Sequence, residues 1–343
     1  MHRSALAGVA TLAAVTTAAF GIAAAAPAAP SPVAAPEPQQ VAPGVWMIPG
    51  GIRPNRQPDG NSVIFEAPAG LVVVDTGRHA WHREAILSLA RAQKKAIVAI
   101  VNTHWHLDHV SGNPDLRAAY PGLRVYSSNA IDGALTGFLR ASAADSAAYL
   151  DDPKIPEETR ADIRADLLTI QNGAALKPDV VIPASDTMTF GGLPLGVSLV
   201  PDAVTAGDVW LYDPERRVAV LGDLVTLPAP FLDTACPQGW KAALDAVAAT
   251  PFEVAIPGHG TPMSRAQFLL YQAAFEAFID CSATTVAGDD CAARWADSIR
   301  PLLGDDPLEH KRARGMAAYY VDLLRANGGR SRHCAVATPH TNP

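Results

Sequence analysis

The chain has 343 residues, 49% of them apolar and 18% charged. That composition supplies a sizeable core and excludes a wholly disordered chain. The net charge of −7, with no Lys/Arg run, excludes a nucleic-acid binder built on a basic face.

Met1-His2-Arg3 is a short basic start, and residues 6–26 form a charge-free run dominated by alanine. Ala-x-Ala triplets such as Ala23-Ala24-Ala25 close it, so residues 1–26 read as a secretory signal peptide. Alanine is weakly apolar for a spanning helix, so no stable membrane insertion is expected after cleavage. An exported protein, periplasmic or secreted, is the expectation. Residues 27–43 are rich in alanine and proline (Pro27, Pro30, Pro32, Pro36, Pro38 and Pro43), the composition of a semi-rigid linker. Folded structure is expected from near Val45.

Residues 63–65 and 71–75 read as strands joined by a turn at Pro68-Ala69-Gly70. Residues 81–95 show helical spacing through Ile86, Leu89 and Ala90, with basic residues at the C-terminal end. The apolar run 96–101 reads as a buried strand, and 123–126 as another. A mostly helical stretch, 130–174, precedes strands at 180–182, 188–190 and 197–201. Residues 208–212 and 217–221 form a hairpin around Asp213-Pro214-Glu215. A helix over 238–249 and a strand over 252–256 follow; from Met263 the chain reads as helices alone, then a loose tail over 328–343. Interleaved strands and helices predict an α/β layered architecture.

In an oxidising compartment the four cysteines pair, with three possible connectivities. Cys281 and Cys291 close a short loop through Gly288, Asp289 and Asp290, so that pair is favoured. Cys236 with Cys334 then ties the tail to the core.

The densest chemistry is His104-Trp105-His106-Leu107-Asp108-His109, at the C-terminal end of strand 96–101. Ligands of α/β folds gather at such ends. Imidazole and carboxylate suit Zn²⁺, Mn²⁺ or Fe²⁺. In extended backbone His104 and His106 point the same way, while Asp108 and His109 turn to an adjacent point. Such a set can hold two metals about 3.5–4 Å apart. Asp223 lies where strand 217–221 runs into a loop, and His259 follows strand 252–256 in Pro257-Gly258-His259-Gly260. Each can complete the site.

These pieces, with Asp75-Thr76-Gly77, Gly207-Asp208 and Gly222-Asp223, occur in an order that resembles the metallo-β-lactamase superfamily over residues 45–267. The resemblance implies a four-layer αβ/βα sandwich, here over 44–267, with a helical extension over 268–327. It implies metal ligands at His104, His106, Asp108, His109, Asp223 and His259, and Asp75 behind them as an orienting residue. The implied cofactor is one or two zinc ions, with iron or manganese as alternatives. The family pattern has a His before Thr-x-Gly-Asp, and here Val204, which cannot ligate, stands there. The first site then keeps His104, His106 and Asp223; three protein ligands plus water make a workable catalytic zinc set. Asp202, His79 and His82 are candidate substitute ligands.

The implied activity is hydrolysis of a small-molecule ester, lactone, thioester or amide by a metal-bound hydroxide. A bound metal lowers the pKa of water from 15.7 towards about 7. Asp108 is expected to orient that hydroxide and pass a proton to the leaving group. Loop 225–234 is expected to wall the pocket, with Phe231 and Trp105 making it apolar. Three other readings stand beside this one: a true metallo-β-lactamase acting on β-lactam antibiotics, an iron-dependent persulfide dioxygenase, and a non-catalytic binding protein with a degraded first site. Asp223 argues against the first, export against the second, and the six retained ligand positions against the third. The sequence sets no oligomeric state.

Overall fold

Residues 34–334 are described by a computed structural model. The expected signal peptide, the first part of the linker and the tail beyond Cys334 lie outside the described residues.

Strands β1 (Gln39–Ala42), β2 (Val45–Ile48), β3 (Ser62–Ala67) and β4 (Gly70–Val74) run antiparallel in chain order. Helix α1 (Ala80–Gln93) then crosses over, so that β5 (Ile97–Val101) lies parallel to β4; a parallel neighbour requires such a crossover. Next come α2 (Leu107–Val110), α3 (Asn113–Ala119), β6 (Arg124–Ser127), α4 (Ile131–Thr136), α5 (Phe138–Ala147), α6 (Glu157–Gln171) and β7 (Val180–Val181). These strands form one sheet in the order β1-β2-β3-β4-β5-β6-β7.

The second sheet begins with β8 (Asp186–Phe190), β9 (Leu193–Val200), β10 (Asp208–Asp213) and β11 (Val218–Thr226), all antiparallel. Helix α7 (Pro237–Ala249) crosses to β12 (Val254–His259), parallel to β11, and β13 (Met263–Ser264) closes that edge. Helices α8 (Arg265–Ser282), α9 (Gly288–Ile299) and α10 (Pro307–Ala326) complete the fold.

Period-two alternation makes the layers. Val63 and Phe65 of β3, with Val72 and Val74 of β4, face the core between the sheets, where Val209, Leu211, Val218 and Val220 meet them. The intervening Ile64, Leu71 and Val73 pack on Ile86 and Leu89 of α1. Trp210, Ala219 and Leu221 turn the other way, onto Trp240 and Leu244 of α7 and Phe275 of α8. Each fully buried Val, Leu, Ile or Phe among them stabilises by roughly 1.5–3 kcal/mol. The result is the expected αβ/βα sandwich. The C-terminal helices join its outer layer through Phe278, Trp295 and Tyr320, and the described residues form one compact unit.

Three expectations need correction. The linker reading of 27–43 fails at Gln39–Ala42, where a proline-free stretch between Pro38 and Pro43 keeps its N–H groups and pairs with β2, Gln40 opposite Trp46. Residues 263–264 are a short strand, with Met263 opposite Ala255, before the helices begin at a Ser264–Gln267 capping box. Residues 328–334 are not loose: the Ser331 N–H donates to Ala235 O at 3.1 Å, and Cys334 is bonded to Cys236. Cys281 and Cys291 form the other disulfide, as expected. No helix among the described residues is long and apolar enough to cross a membrane.

Candidate metal centre

Both sheets deliver donors to one place. Asp75 follows β4, the run 104–109 follows β5 and enters α2, and Asp223 and His259 belong to β11 and the end of β12. Asp223 lies within the strand rather than beyond it; the β11–β12 register breaks on either side of Gly222, which turns its carboxylate inward.

The donors fall into two clusters that share Asp223. In the first, His104 Nε2 lies 2.8 Å from His106 Nδ1 and 3.6 Å from Asp223 Oδ2. His106 Nδ1 is 4.0 Å from the same oxygen. In the second, His259 Nε2 lies 3.1 Å from Asp108 Oδ2 and 3.4 Å from His109 Nε2. Asp223 turns its other oxygen, Oδ1, to this cluster, 3.2 Å from His109 Nε2 and 3.5 Å from His259 Nε2.

Neighbouring groups set which ring nitrogens face inward. Thr103 Oγ1 donates to Asp75 Oδ2 at 2.6 Å, so its lone pair is left for His104 Nδ1 at 2.9 Å. His104 Nδ1 therefore carries the proton and Nε2 the lone pair. Asp75 Oδ2 also accepts from His109 Nδ1 at 2.8 Å, which leaves His109 Nε2 facing the cluster. Asp75 holds φ +59°, and Asp is one of the few residues that tolerate this left-handed backbone. It touches His109 directly and His104 through Thr103.

The donor set fits a divalent cation. Asp223 Oδ1 is buried without a hydrogen-bond partner, a costly arrangement unless a cation answers it. Burial and the His109 and His106 charges push His104 well below its ordinary range, so it stays a neutral donor. Burial alone would raise Asp108 and Asp223, but the charges of His109 and His259 outweigh it and hold both carboxyls far down. Burial alone would lower His109 and His259, but the carboxylates of Asp223 and Asp108 outweigh it and raise both. The same negative field would hold a dication.

Close backbone approach completes the packing. A Cβ at Gly258 would collide with Asp223 Oδ1, and one at Gly60 with the His109 ring. Asn61 ties these segments together: its N–H donates to Gly258 O at 2.7 Å, and its Nδ2 to Pro257 O and Gly260 O at 2.9 Å.

The three candidate substitutes bring no donor to either cluster. His79 faces two other carboxylates, Nδ1 hydrogen-bonded to Asp59 at 2.8 Å and Nε2 lying 3.2 Å from Asp162, and stacks on Trp81. His82 bonds Ser62 Oγ through Nε2 at 2.8 Å, and burial lowers it to about 4. Asp202 lies against Gly239 in the first turn of α7.

A cavity of about 250 Å³ opens over the donors, with His106, Asp108, Asp223 and His259 in its wall. Leu139, Leu227, Phe231 and Met316 make part of it apolar. Trp105 does not line it; it packs behind His106, 5.6 Å from the Phe138 ring. Arg78, also in the wall, pairs with Asp166 at 2.5 Å and lies 3.7 Å from Asp108 Oδ1.

Sequence reasoning misses Thr103, Arg78, Gly60 and Asn61. The pairing of Asp75 with Thr103 has a weak local signal, because Thr103 directly precedes the His run. The others have none, since their partners lie far along the chain.

A profile of the metallo-beta-lactamase superfamily matches residues 56–259. A linear primary-alkylsulfatase of Pseudomonas sp. is 25% identical over 295 residues, 79% of this chain and 53% of that protein. A hydroxyacylglutathione hydrolase of Gloeobacter violaceus is 44% identical over 72 residues, 21% of this chain and 27% of that protein. The chain thus aligns with about half or less of these relatives' length. The crystal structure of a metallo-beta-lactamase family protein from Thermus thermophilus shares the fold, with TM-score 0.56, 18% identity, and coverage of 84% of this chain and 95% of that one.

Proposed function

This chain belongs to the metallo-beta-lactamase superfamily, and from that premise we propose that it is a metal-dependent hydrolase of a small-molecule ester, lactone, thioester or strained amide. The observation that carries the reading is Asp223, which presents one oxygen to each of two donor clusters in the wall of one cavity. His104, His106 and Asp223 would hold one cation, and Asp108, His109, His259 and Asp223 the other. Zinc is the proposed metal, with iron and manganese compatible with the same donors. A cation bound there supplies Lewis acidity and acidifies water.

The protein's own groups do the rest. Asp108 stays ionised and faces the cavity, where its Oδ1 can orient a water and carry its proton to the leaving group. Arg78, 3.7 Å from that oxygen, sets a positive charge beside it that helps to keep it ionised. Leu139, Leu227, Phe231 and Met316 receive the apolar body of the substrate and exclude water around the scissile bond. The two disulfides suit the oxidising compartment of an exported protein.

A second reading is hydrolysis of a sulfate ester. The likeness to an alkylsulfatase over 79% of the chain and the guanidinium in the cavity wall favour it.

The test is a panel of an aryl ester, a lactone, a thioester, an aryl sulfate and nitrocefin, run on zinc-loaded protein. Turnover of a carboxylic ester, lactone or thioester, abolished by chelator and restored by Zn²⁺, is the expected result. Turnover of the aryl sulfate alone installs the second reading, and of nitrocefin alone the β-lactamase reading. No turnover by metal-loaded protein overturns the hydrolase reading.

A further inference from the structure

Thr234 sits in the loop between β11 and α7, 128 positions from His106 in the chain. Its hydroxyl has two neighbours: Val204 O at 2.8 Å and His106 Nε2 at 3.1 Å. A carbonyl only accepts, so the hydroxyl proton goes to Val204. The oxygen lone pair is left for His106 Nε2, which must then carry a proton. The neutral ring keeps its own lone pair on Nδ1, the nitrogen turned to His104 and Asp223. A flipped ring would set a carbon against the hydroxyl and withdraw Nδ1 from the cluster.

The loop that presents Thr234 is fastened from outside the sandwich. Trp295 Nε1 of α9 donates to Pro228 O at 3.0 Å. The hydroxyls of Tyr319 and Tyr320, on α10, donate to the Asp233 carboxylate at 3.0 and 3.1 Å. The Ser331 N–H holds Ala235 O, and the Cys334 disulfide holds Cys236. Cys236 N–H in turn donates to Ala203 O at 2.7 Å, so the loop is stitched to the segment that carries Val204. The residue at which the family pattern places a third imidazole contributes its backbone carbonyl instead.

We propose that Thr234 is a positioning residue for His106, and that the C-terminal helices, by bracing its loop, maintain the metal affinity of the three-donor cluster His104, His106 and Asp223. This rests on the reading of the clusters as metal sites. A hydroxyl behind an imidazole ligand fixes both tautomer and orientation, and loss of such a partner costs about 10- to 100-fold in metal affinity.

The test is chelator competition for Zn²⁺ on the full chain, with the first-cluster zinc assigned by its loss in His104→Ala. Thr234→Val is expected to weaken that zinc about 10- to 100-fold and leave the other unchanged, while Thr234→Ser restores it. A merely structural threonine would lower the melting temperature of Thr234→Val without separating the two zinc affinities, and that result overturns the proposal. Wild-type protein that binds no zinc would instead overturn the metal reading. If Thr234→Val does not fold, the imidazole ¹H–¹⁵N spectrum of zinc-loaded wild type decides. A proton on His106 Nε2 is expected; a proton on Nδ1 overturns the proposal.

Discussion

The two donor clusters share Asp223 but are held by different parts of the molecule. Around the second, Asp75 grips His109, Gly60 and Gly258 press backbone against His109 and Asp223, and Asn61 joins the segments. All of these belong to the sandwich itself. The first depends on two threonine hydroxyls, and one of them stands on a loop fastened by the C-terminal helices and a disulfide. On the reading proposed above, the cluster with Val204 beside it in place of a third imidazole is the one that leans on the extension. If both clusters hold metal as proposed, one is supported from the core of the fold and the other from an appended layer.

The largest expected effect comes from breaking what the clusters share. Asp223→Ala removes a donor from both, so zinc content should fall at both and turnover should drop on the order of a thousandfold, since a bound metal supplies several kcal/mol. Equal loss at both clusters supports the shared role; loss at one alone contradicts it.

Replacing Cys236 and Cys334 together by Ala should separate the clusters. The bond closes a sequence separation of 98 residues, and its loss should cost about 2–4 kcal/mol of stability. Zinc affinity should weaken at the first cluster only. Denaturant titration and chelator competition on one preparation check both outcomes.

Asp75→Asn tests the opposite side. It keeps the shape but removes the charge facing His109 and Thr103, and metal affinity should fall about 10- to 100-fold. The second cluster should suffer more, because His109 contacts Asp75 directly and His104 only through Thr103.

The smallest effect is a pH dependence in the network beside the second cluster. Burial alone would raise Asp59, but the His79 hydrogen bond and the His82 and His79 charges outweigh it and lower its pKa to about 2. A carboxyl lowered from 3.8 contributes stability that is present above that value and is lost as pH falls towards about 2. The loss should be roughly 2 kcal/mol. Asp59→Asn should flatten the acid limb of stability between about pH 4 and pH 2; an unchanged slope contradicts the assignment.

Much of the site is legible in the sequence because its donors are chemically rare and locally dense. Four of them lie between His104 and His109, and His259 stands between glycines. The layers are legible too, since runs such as Val63-Ile64-Phe65 and Leu71-Val72-Val73-Val74 alternate between two apolar surroundings. His79 shows the limit: its chemistry suits a ligand, but its ring lies between Asp59 and Asp162, and Asp162 comes from distant α6. Thr234 shows the same limit in reverse. Nothing near it in the chain marks it, because its partners Val204 and His106 arrive only through tertiary packing. Strand β1 is hidden by its proline-rich setting, and only pairing with β2 reveals it.

Asp223 is proposed to join two cation sites. Anomalous scattering at the zinc edge from crystals of zinc-loaded protein tests it most directly. Two peaks are expected, one among His104 Nε2, His106 Nδ1 and Asp223, the other among Asp108, His109, His259 and Asp223. Peaks absent from both positions, or zinc ordered instead among Asp59, His79 and Asp162, would contradict it.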